Sequence, residues 1–172
     1  TPGNAGTARE RELENVNLTD PEALADFAAK HKVHLTVVGP EAPLAAGIVN
    51  LFRDRGLKIF GPTREAAQLE SSKDFAKRFM ARHNIPTARF ATFSDIRAAH
   101  AYVDQQGAPI VIKADGLAAG KGVVVAMHLS EAHDAIDRML PASGDSPARD
   151  SAPARVLIEE FLEGEEASFI VM

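Results

Sequence analysis

The chain has 172 residues, 45% hydrophobic and 25% charged, enough for one mid-sized core or two small ones. It contains no cysteine, which excludes disulfides, thiol catalysis and cysteine-ligated zinc or iron–sulfur centres and fits a reducing compartment. A net charge of −5 without a basic stripe, one Tyr and no Trp argue against a nucleic-acid partner, and with no apolar run of about 18 residues against a membrane one, so the composition reads as soluble and cytoplasmic.

The first residues, Thr1-Pro2-Gly3-Asn4-Ala5-Gly6-Thr7, read as a turn and carry neither a basic nor an apolar leader. The chain opens without methionine, and Ala167 to Met172 stop inside a strand pattern with no turn behind it. It therefore reads as a segment of a longer polypeptide. Thr19 and Glu22 form a capping-box pattern, Pro21 suits a first helical turn, and Leu24, Phe27 and Ala28 mark one face of a helix running to about Lys32. Val33 to Val38 is a strand, Leu44, Ile48, Leu51 and Phe52 recur at helical spacing until Gly56, and Leu57 to Phe60 is the next strand. Helix, strand, helix and strand at such short spacing predict a parallel βαβ arrangement. The loop Gly39-Pro40-Glu41-Ala42-Pro43 then lies at a carboxyl strand end, where open α/β sheets bind ligands.

Beyond Gly61-Pro62 the pattern changes. Ser71 or Ser72 caps a helix carrying Phe75 and Phe79, Ala88 to Thr92 is a strand, and Ser94 begins a helix that Gly107 stops. Ala108 to Lys113 and Val123 to Val125 are β-branched strands flanking a glycine-rich loop, and Ser130 caps a helix with Ala132, Ile136, Met139 and Leu140 inward. Pro141 to Pro153 lacks apolar periodicity and reads as a mobile loop, about 141–154. Two unlike α/β units result, residues 1–62 and 63–172, with the boundary at about 62–72.

Two stretches carry chemistry. In "KADGLAAGKGVVVAM" only three residues separate Gly116 from Gly120, and Val123-Val124-Val125 favours a strand, so it is a hairpin rather than a strand-to-helix phosphate loop. Its glycines let backbone N–H groups approach an anion, and Lys113 and Lys121 add charge; alone, it equally suits a flexible hairpin with a solvated lysine. In Val156 to Glu166 a buried strand runs into five carboxylates. That is either a solvated acidic turn or a strand edge pairing with a purine while a carboxylate takes the ribose hydroxyls.

Lys73 with Pro86 downstream, Lys113 at a strand end, the hairpin Leu117 to Gly122, and Glu159-Glu160-Phe161-Leu162 with Glu166 together resemble the ATP-grasp fold. More narrowly, "PGNAGT", "VVGPEAPL", "GLKIFGPT", "APIVIKADGLAAGKGVVVA" and "IEEFLEGEEASFIVM", in that order across nearly the whole chain, resemble the phosphoribosylamine–glycine ligase family of purine biosynthesis. The resemblance implies a partial Rossmann-like substrate domain followed by part of an ATP-grasp domain. It also implies ATP-dependent ligation of glycine to 5-phosphoribosylamine through a glycyl phosphate.

By the same resemblance, Lys73 and Lys113 are the catalytic lysines on the α- and β-phosphates, and Leu117, Ala118, Ala119, Gly120, Lys121 and Gly122 close over the phosphates. Glu159, the Glu160 carbonyl, Phe161 and the Leu162 N–H meet adenine, and Glu166 holds the ribose. Asn4, Gly6, Gly39, Pro40 and Glu41 surround phosphoribosylamine, although Glu41 also suits a helix cap; Asp115 either faces the glycine amine or forms a turn. The Mg2+ or Mn2+ of the family has its expected ligands beyond Met172, so these residues alone are expected to be inactive. His31, His34 and His83 have no metal spacing, and oligomeric state is not legible. Two rival readings stay open: another ATP-grasp carboxylate–amine ligase, and a nucleotide-binding module without catalysis.

Overall fold

A computed structural model describes residues 1–117, 122–140 and 154–169. The chain divides into two compact units, Thr1–Ser71 and Ser72–Met172.

In the first unit, helix α1 (Pro21–Lys30) is capped by the Asp20 carboxylate, which accepts from the Ala23 N–H at 2.9 Å. The cap is thus Asp20 and not the expected Thr19, because only Asp20 stands one residue before the helical Pro21. Strand β1 (Thr36–Val37) pairs in parallel with β2 (Ile59–Phe60), Thr36 opposite Ile59 and Val37 opposite Phe60. The expected strand start at Val33 is lost to the end of α1, where the Val33 N–H donates to the Ala28 carbonyl at 2.9 Å.

Between the strands, the single expected helix is two, α2 (Glu41–Ala46) and α3 (Ile48–Asp54). Gly47 breaks it at φ +91°, and a Cβ there would lie 2.5 Å from the Arg64 guanidinium, which donates to the Ala46 carbonyl at 2.9 Å. Only glycine accommodates both demands. Ala25, Ala28, Ile48, Val49 and Phe52 form the core of this unit. Helix α4 (Arg64–Ser71), not foreseen in the sequence, closes it.

In the second unit, the elements are α5 (Lys73–Arg82), β3 (Phe90–Phe93), α6 (Ile96–Gln106), β4 (Ile110–Ala114), β5 (Val123–Ala126), α7 (Leu129–Met139) and β6 (Val156–Glu160). They form a four-stranded sheet in the order β3-β6-β4-β5, each neighbour antiparallel. The β4–β5 pair is the expected hairpin, with Lys113 opposite Val123. Helix α6 is capped by Asp95, which accepts from the Ala98 N–H, one residue after the expected Ser94. Helix α7 is capped by His128 in a capping box with Glu131, two residues before the expected Ser130.

Strand alternation divides the sheet's side chains cleanly. Ile110, Ile112, Ala126, Val156 and Ile158 pack with Ala99 and Val103 of α6 and Ala132, Ala135 and Ile136 of α7 in one buried core. Val111, Lys113, Val123, Val125, Leu157 and Glu159 point to the opposite face, where Val123 and Val125 stay 45% and 49% exposed. Apolar groups left open on one side of an otherwise well-packed sheet mark a face shaped for something other than α6 and α7. Ala167 to Phe169 are not in a strand; the rest of the expected terminal strand and the expected loop at 141–153 lie outside the described residues.

Candidate functional site

Glu159 stands on this open face, yet its side chain is only 7% exposed, and each of its oxygens meets a lysine. Lys113 Nζ lies 3.0 Å from Oε1 and Lys77 Nζ 3.0 Å from Oε2. Lys77 also donates to Thr87 Oγ1 at 2.7 Å and to the Ala88 carbonyl at 3.4 Å, and it lies 5.8 Å from the Phe90 ring centre. Two ammonium groups share one carboxylate. A positive charge is therefore left over, and it lies towards Lys113, whose side chain is 27% exposed against 9% for Lys77.

Helix α5 places Lys77 by burying a charged stripe. Asp74 and Lys77, one turn apart, are its buried residues, whereas Phe75 and Phe79 are only half-buried. At its N-terminus Ser72 Oγ accepts from the Phe75 N–H at 3.2 Å and lies 3.2 Å from Asp115 Oδ1, to which it donates. Asp115 also accepts from the Gly116 and Asp74 N–H groups at 3.0 and 3.3 Å and pairs with Arg155 at 2.7 Å. Lys73 Nζ donates to the Gly116 carbonyl at 2.8 Å. The start of α5, the end of β4 and the residue leading into β6 are thus tied together, which brings Lys73, Lys113, Asp115 and Glu159 to one region of the second unit.

Asp74 completes that network, accepting from Thr92 Oγ1 at 2.6 Å and Arg78 Nε at 2.9 Å, with Arg155 at 3.6 Å. Burial pushes its carboxyl up, but the hydrogen bonds of Arg78 and Thr92 and the charges of Arg78 and Arg155 outweigh burial and hold it below its ordinary 3.8. A carboxylate depressed in the folded state contributes stability that is full above its unfolded pKa and is lost as the pH falls through the folded value. Thermal unfolding from about pH 5 to about pH 3 is expected to show the advantage of wild type over Asp74→Asn shrinking with acid. A constant difference would remove Asp74 from the linkage.

At the far end of β6, Glu160 accepts from the Arg89 N–H at 2.8 Å and from its guanidinium at 2.6 Å; these bonds, the backbone one first, hold its carboxyl below the usual range. A cleft of about 290 Å³ lies there, lined by Arg89, Tyr102, Gln106, Glu159, Glu160 and Phe161. Phe161 is half-buried, Leu162 is 64% exposed, and Glu166 is exposed. Leu117 is 48% exposed, and Gly122 is buried with its carbonyl accepting from the Ala114 N–H at 2.8 Å. Ala118, Ala119, Gly120 and Lys121 lie outside the described residues.

In the first unit, the Asn4 side-chain oxygen accepts from the Gly6 and Thr7 N–H groups at 2.8 and 3.0 Å, which makes a tight exposed turn. Gly39 and Pro40 lead from β1 into α2, and Glu41 sits exposed in its first turn, where the helix dipole favours an anion. Among the described residues no hydrogen bond joins the Asn4–Gly6 turn to the Gly39–Glu41 segment. Lys77, Asp74, Arg89 and Arg155 had no signal in the sequence beyond the spacing of Asp74 and Lys77 on one helix face.

Comparison with known proteins joins the two units in one family. Residues 1–70 match the model of the phosphoribosylglycinamide synthetase N domain, and residues 71–172 match that of the phosphoribosylglycinamide synthetase ATP-grasp (A) domain. The chain belongs to the phosphoribosylglycinamide synthetase family. It is 71% identical to a phosphoribosylamine–glycine ligase of Ralstonia nicotianae and 66% identical to one of Neisseria meningitidis, in each case over 99% of this chain. It spans 40% of the length of these curated relatives. A solved phosphoribosylamine–glycine ligase of Thermotoga maritima superposes with a TM-score of 0.69 at 30% identity, over 95% of this chain and 37% of that one. A biotin carboxylase of Campylobacter jejuni shares the fold, with a TM-score of 0.66 at 20% identity over 84% of this chain and 32% of its own. The α/β architecture of this chain is thus a parallel, Rossmann-like βαβ unit followed by part of an ATP-grasp domain.

Proposed function

We propose that the complete protein ligates glycine to 5-phosphoribosylamine at the expense of ATP, giving glycinamide ribonucleotide, ADP and phosphate. The observation that carries this reading is the charge surplus on the open sheet face, where Lys77 and Lys113 share the single Glu159 carboxylate and Lys73 stands near the end of β4. A polyphosphate brings the negative charge that such a surplus lacks. The relatives named phosphoribosylamine–glycine ligase, at 66–71% identity, support the choice of substrates.

Glycine's carboxylate resists attack because its charge is delocalised and oxide is a hopeless leaving group. A carboxylate oxygen attacks the γ-phosphorus of ATP, the bond to the bridging oxygen breaks and ADP departs. The amine of phosphoribosylamine then attacks the acyl carbon, the bond to the phosphate oxygen breaks, and the nitrogen gives up a proton as the amide forms. Such transfer relies on positioning and on neutralising oxygen charge, which asks for lysines and backbone N–H groups from the protein, with a divalent metal ion supplying further charge neutralisation when bound, rather than for an activated nucleophile.

We assign Lys73 and Lys113 to the phosphates. Leu117 and Gly122, with Ala118, Ala119, Gly120 and Lys121 between them, cover the phosphates. Glu159 to Leu162 take the adenine and Glu166 the ribose. Both oxygens of Asp115 are engaged within the chain, so its part is to hold Lys73 and the end of β4 in place. The turn at Asn4 and Gly6 and the segment Gly39-Pro40-Glu41 are assigned to phosphoribosylamine. Among the described residues no group of three or more His, Asp or Glu could hold a metal ion. The Mg2+ or Mn2+ implied by the resemblance thus finds no cradle among them, and the roles above rest on this chain's own groups.

The test is ADP release by the complete protein. Release is expected only with ATP, glycine and phosphoribosylamine together, and omission of either co-substrate should stop it. Release that ignores glycine, or that follows a different amine, would identify another ligase of the same fold; ATP binding without turnover would identify a module without catalysis.

A further inference from the structure

All three N–H groups of the Lys77 ammonium have an acceptor within the chain. The nitrogen lies 3.0 Å from Glu159 Oε2 and donates to Thr87 Oγ1 at 2.7 Å and to the Ala88 carbonyl at 3.4 Å. Its side chain is 9% exposed, and helix α5 fixes its stem one turn beyond Lys73. A cation so enclosed cannot swing out to a ligand. Lys113 differs, being 27% exposed near the end of β4, and among the described residues its one ion-pair partner is Glu159 Oε1 at 3.0 Å.

A carboxylate that is 7% exposed cannot rely on water and requires a counterion from the protein. With Lys113 as its only cation, Glu159 would consume that charge, and a phosphate would have to draw the ammonium away from a buried anion. Lys77 removes the competition. Because it stays on Oε2, the three groups together keep one positive charge, and the exposed member of the trio carries it outward.

We infer that Lys77 is a positioning residue for phosphate binding, neutralising Glu159 so that the Lys113 ammonium stays available to the polyphosphate of ATP. This role rests on the proposed placement of Lys113 at the phosphates. It follows that Lys77 governs affinity for the phosphates and not for the adenosine part of the ligand, while contacting neither.

The test is the ratio of ATP to adenosine affinity of the complete protein, measured by calorimetry and competition in one magnesium-containing buffer, with circular dichroism to verify each fold. Lys77→Met is expected to lower ATP affinity about tenfold, the low end of what one charge-assisted hydrogen bond is worth, and to leave adenosine affinity unchanged. Combining Lys77→Met with Glu159→Gln removes cation and carboxylate together. That double variant should return the ratio to the wild-type value, because Lys113 again carries the surplus. An equal loss for ATP and adenosine in Lys77→Met would overturn the inference. So would a ratio still low in the double variant, which would mean that the Lys77 charge itself acts on the phosphates. Where Lys77→Met does not fold, the double variant decides alone by the same ratio. Lys113→Met is the control: an unchanged ratio there takes Lys113 off the phosphates and overturns both roles, whereas a ratio lowered by Lys113→Met and untouched by Lys77→Met overturns that of Lys77 alone.

Discussion

Replacing Lys77 by methionine in the complete protein is expected to cost about 3 kcal/mol of folding stability, because it strands half of a buried carboxylate. Glu159 is 7% exposed, and its two oxygens are divided between Lys77 and Lys113. Methionine keeps most of the length and apolar bulk of lysine, so packing changes little. What is lost is the cation on Oε2, together with the donor that satisfies Thr87 Oγ1 and the Ala88 carbonyl. Removing one partner of a buried pair costs about 3–5 kcal/mol, and the lower end applies here because Lys113 remains on the other oxygen. Chemical denaturation of both proteins measures it. A loss below about 1 kcal/mol, the scale of a surface pair, would mean that Glu159 is solvated in the folded state.

Lys113→Met should divide its effect the other way. Its side chain is three times as exposed as that of Lys77, at 27% against 9%, and Glu159 keeps its deeper partner, so the fold should tolerate the change. Activity should not. If Lys113 donates to a phosphate oxygen in the proposed reaction, the lost charge-assisted hydrogen bond is worth about 1.5–3 kcal/mol. Catalytic efficiency towards ATP should then fall roughly ten- to a hundredfold, each step of about 1.4 kcal/mol being tenfold. Unchanged kinetics in a folded variant would take Lys113 out of the site.

The contrast between these two lysines also shows where the sequence was legible. β-Branched runs on both sides of a glycine-rich loop announced the β4–β5 hairpin and placed Lys113 at its strand end, because strand propensity and loop glycines are local properties. Lys77 carried no comparable sign. Its burial depends on Glu159, far along the chain, and β6 reaches it only by inserting between β3 and β4, an order that no local pattern encodes. The sequence shows Phe75 and Phe79 as the aromatic residues of α5, but the structure leaves both half-buried and buries Asp74 and Lys77.

Smaller departures have similar causes. The helix expected around Gly47 breaks because Arg64, brought back against it from the start of α4, occupies the space of a side chain. The caps moved by one or two residues where neighbouring polar groups compete, Thr19 with Asp20 and Ser94 with Asp95, since either could cap and only the backbone of the folded helix decides. The pairs His100–Asp137 and His133–Asp104, which cross between α6 and α7, were invisible for the reason that hid Lys77: they exist only once the two helices lie side by side.

The central claim is that the open face of the sheet in the second unit, with Lys73, Lys113 and Glu159 to Leu162, receives ATP. Amide hydrogen exchange of the complete protein with and without ATP tests it most directly. Slower exchange with ATP is expected in the peptides covering the start of α5 at Lys73, the end of β4 from Lys113 to Leu117, and Glu159 to Leu162. Equal exchange in all three, or ATP protection confined to residues 1–71, would contradict it.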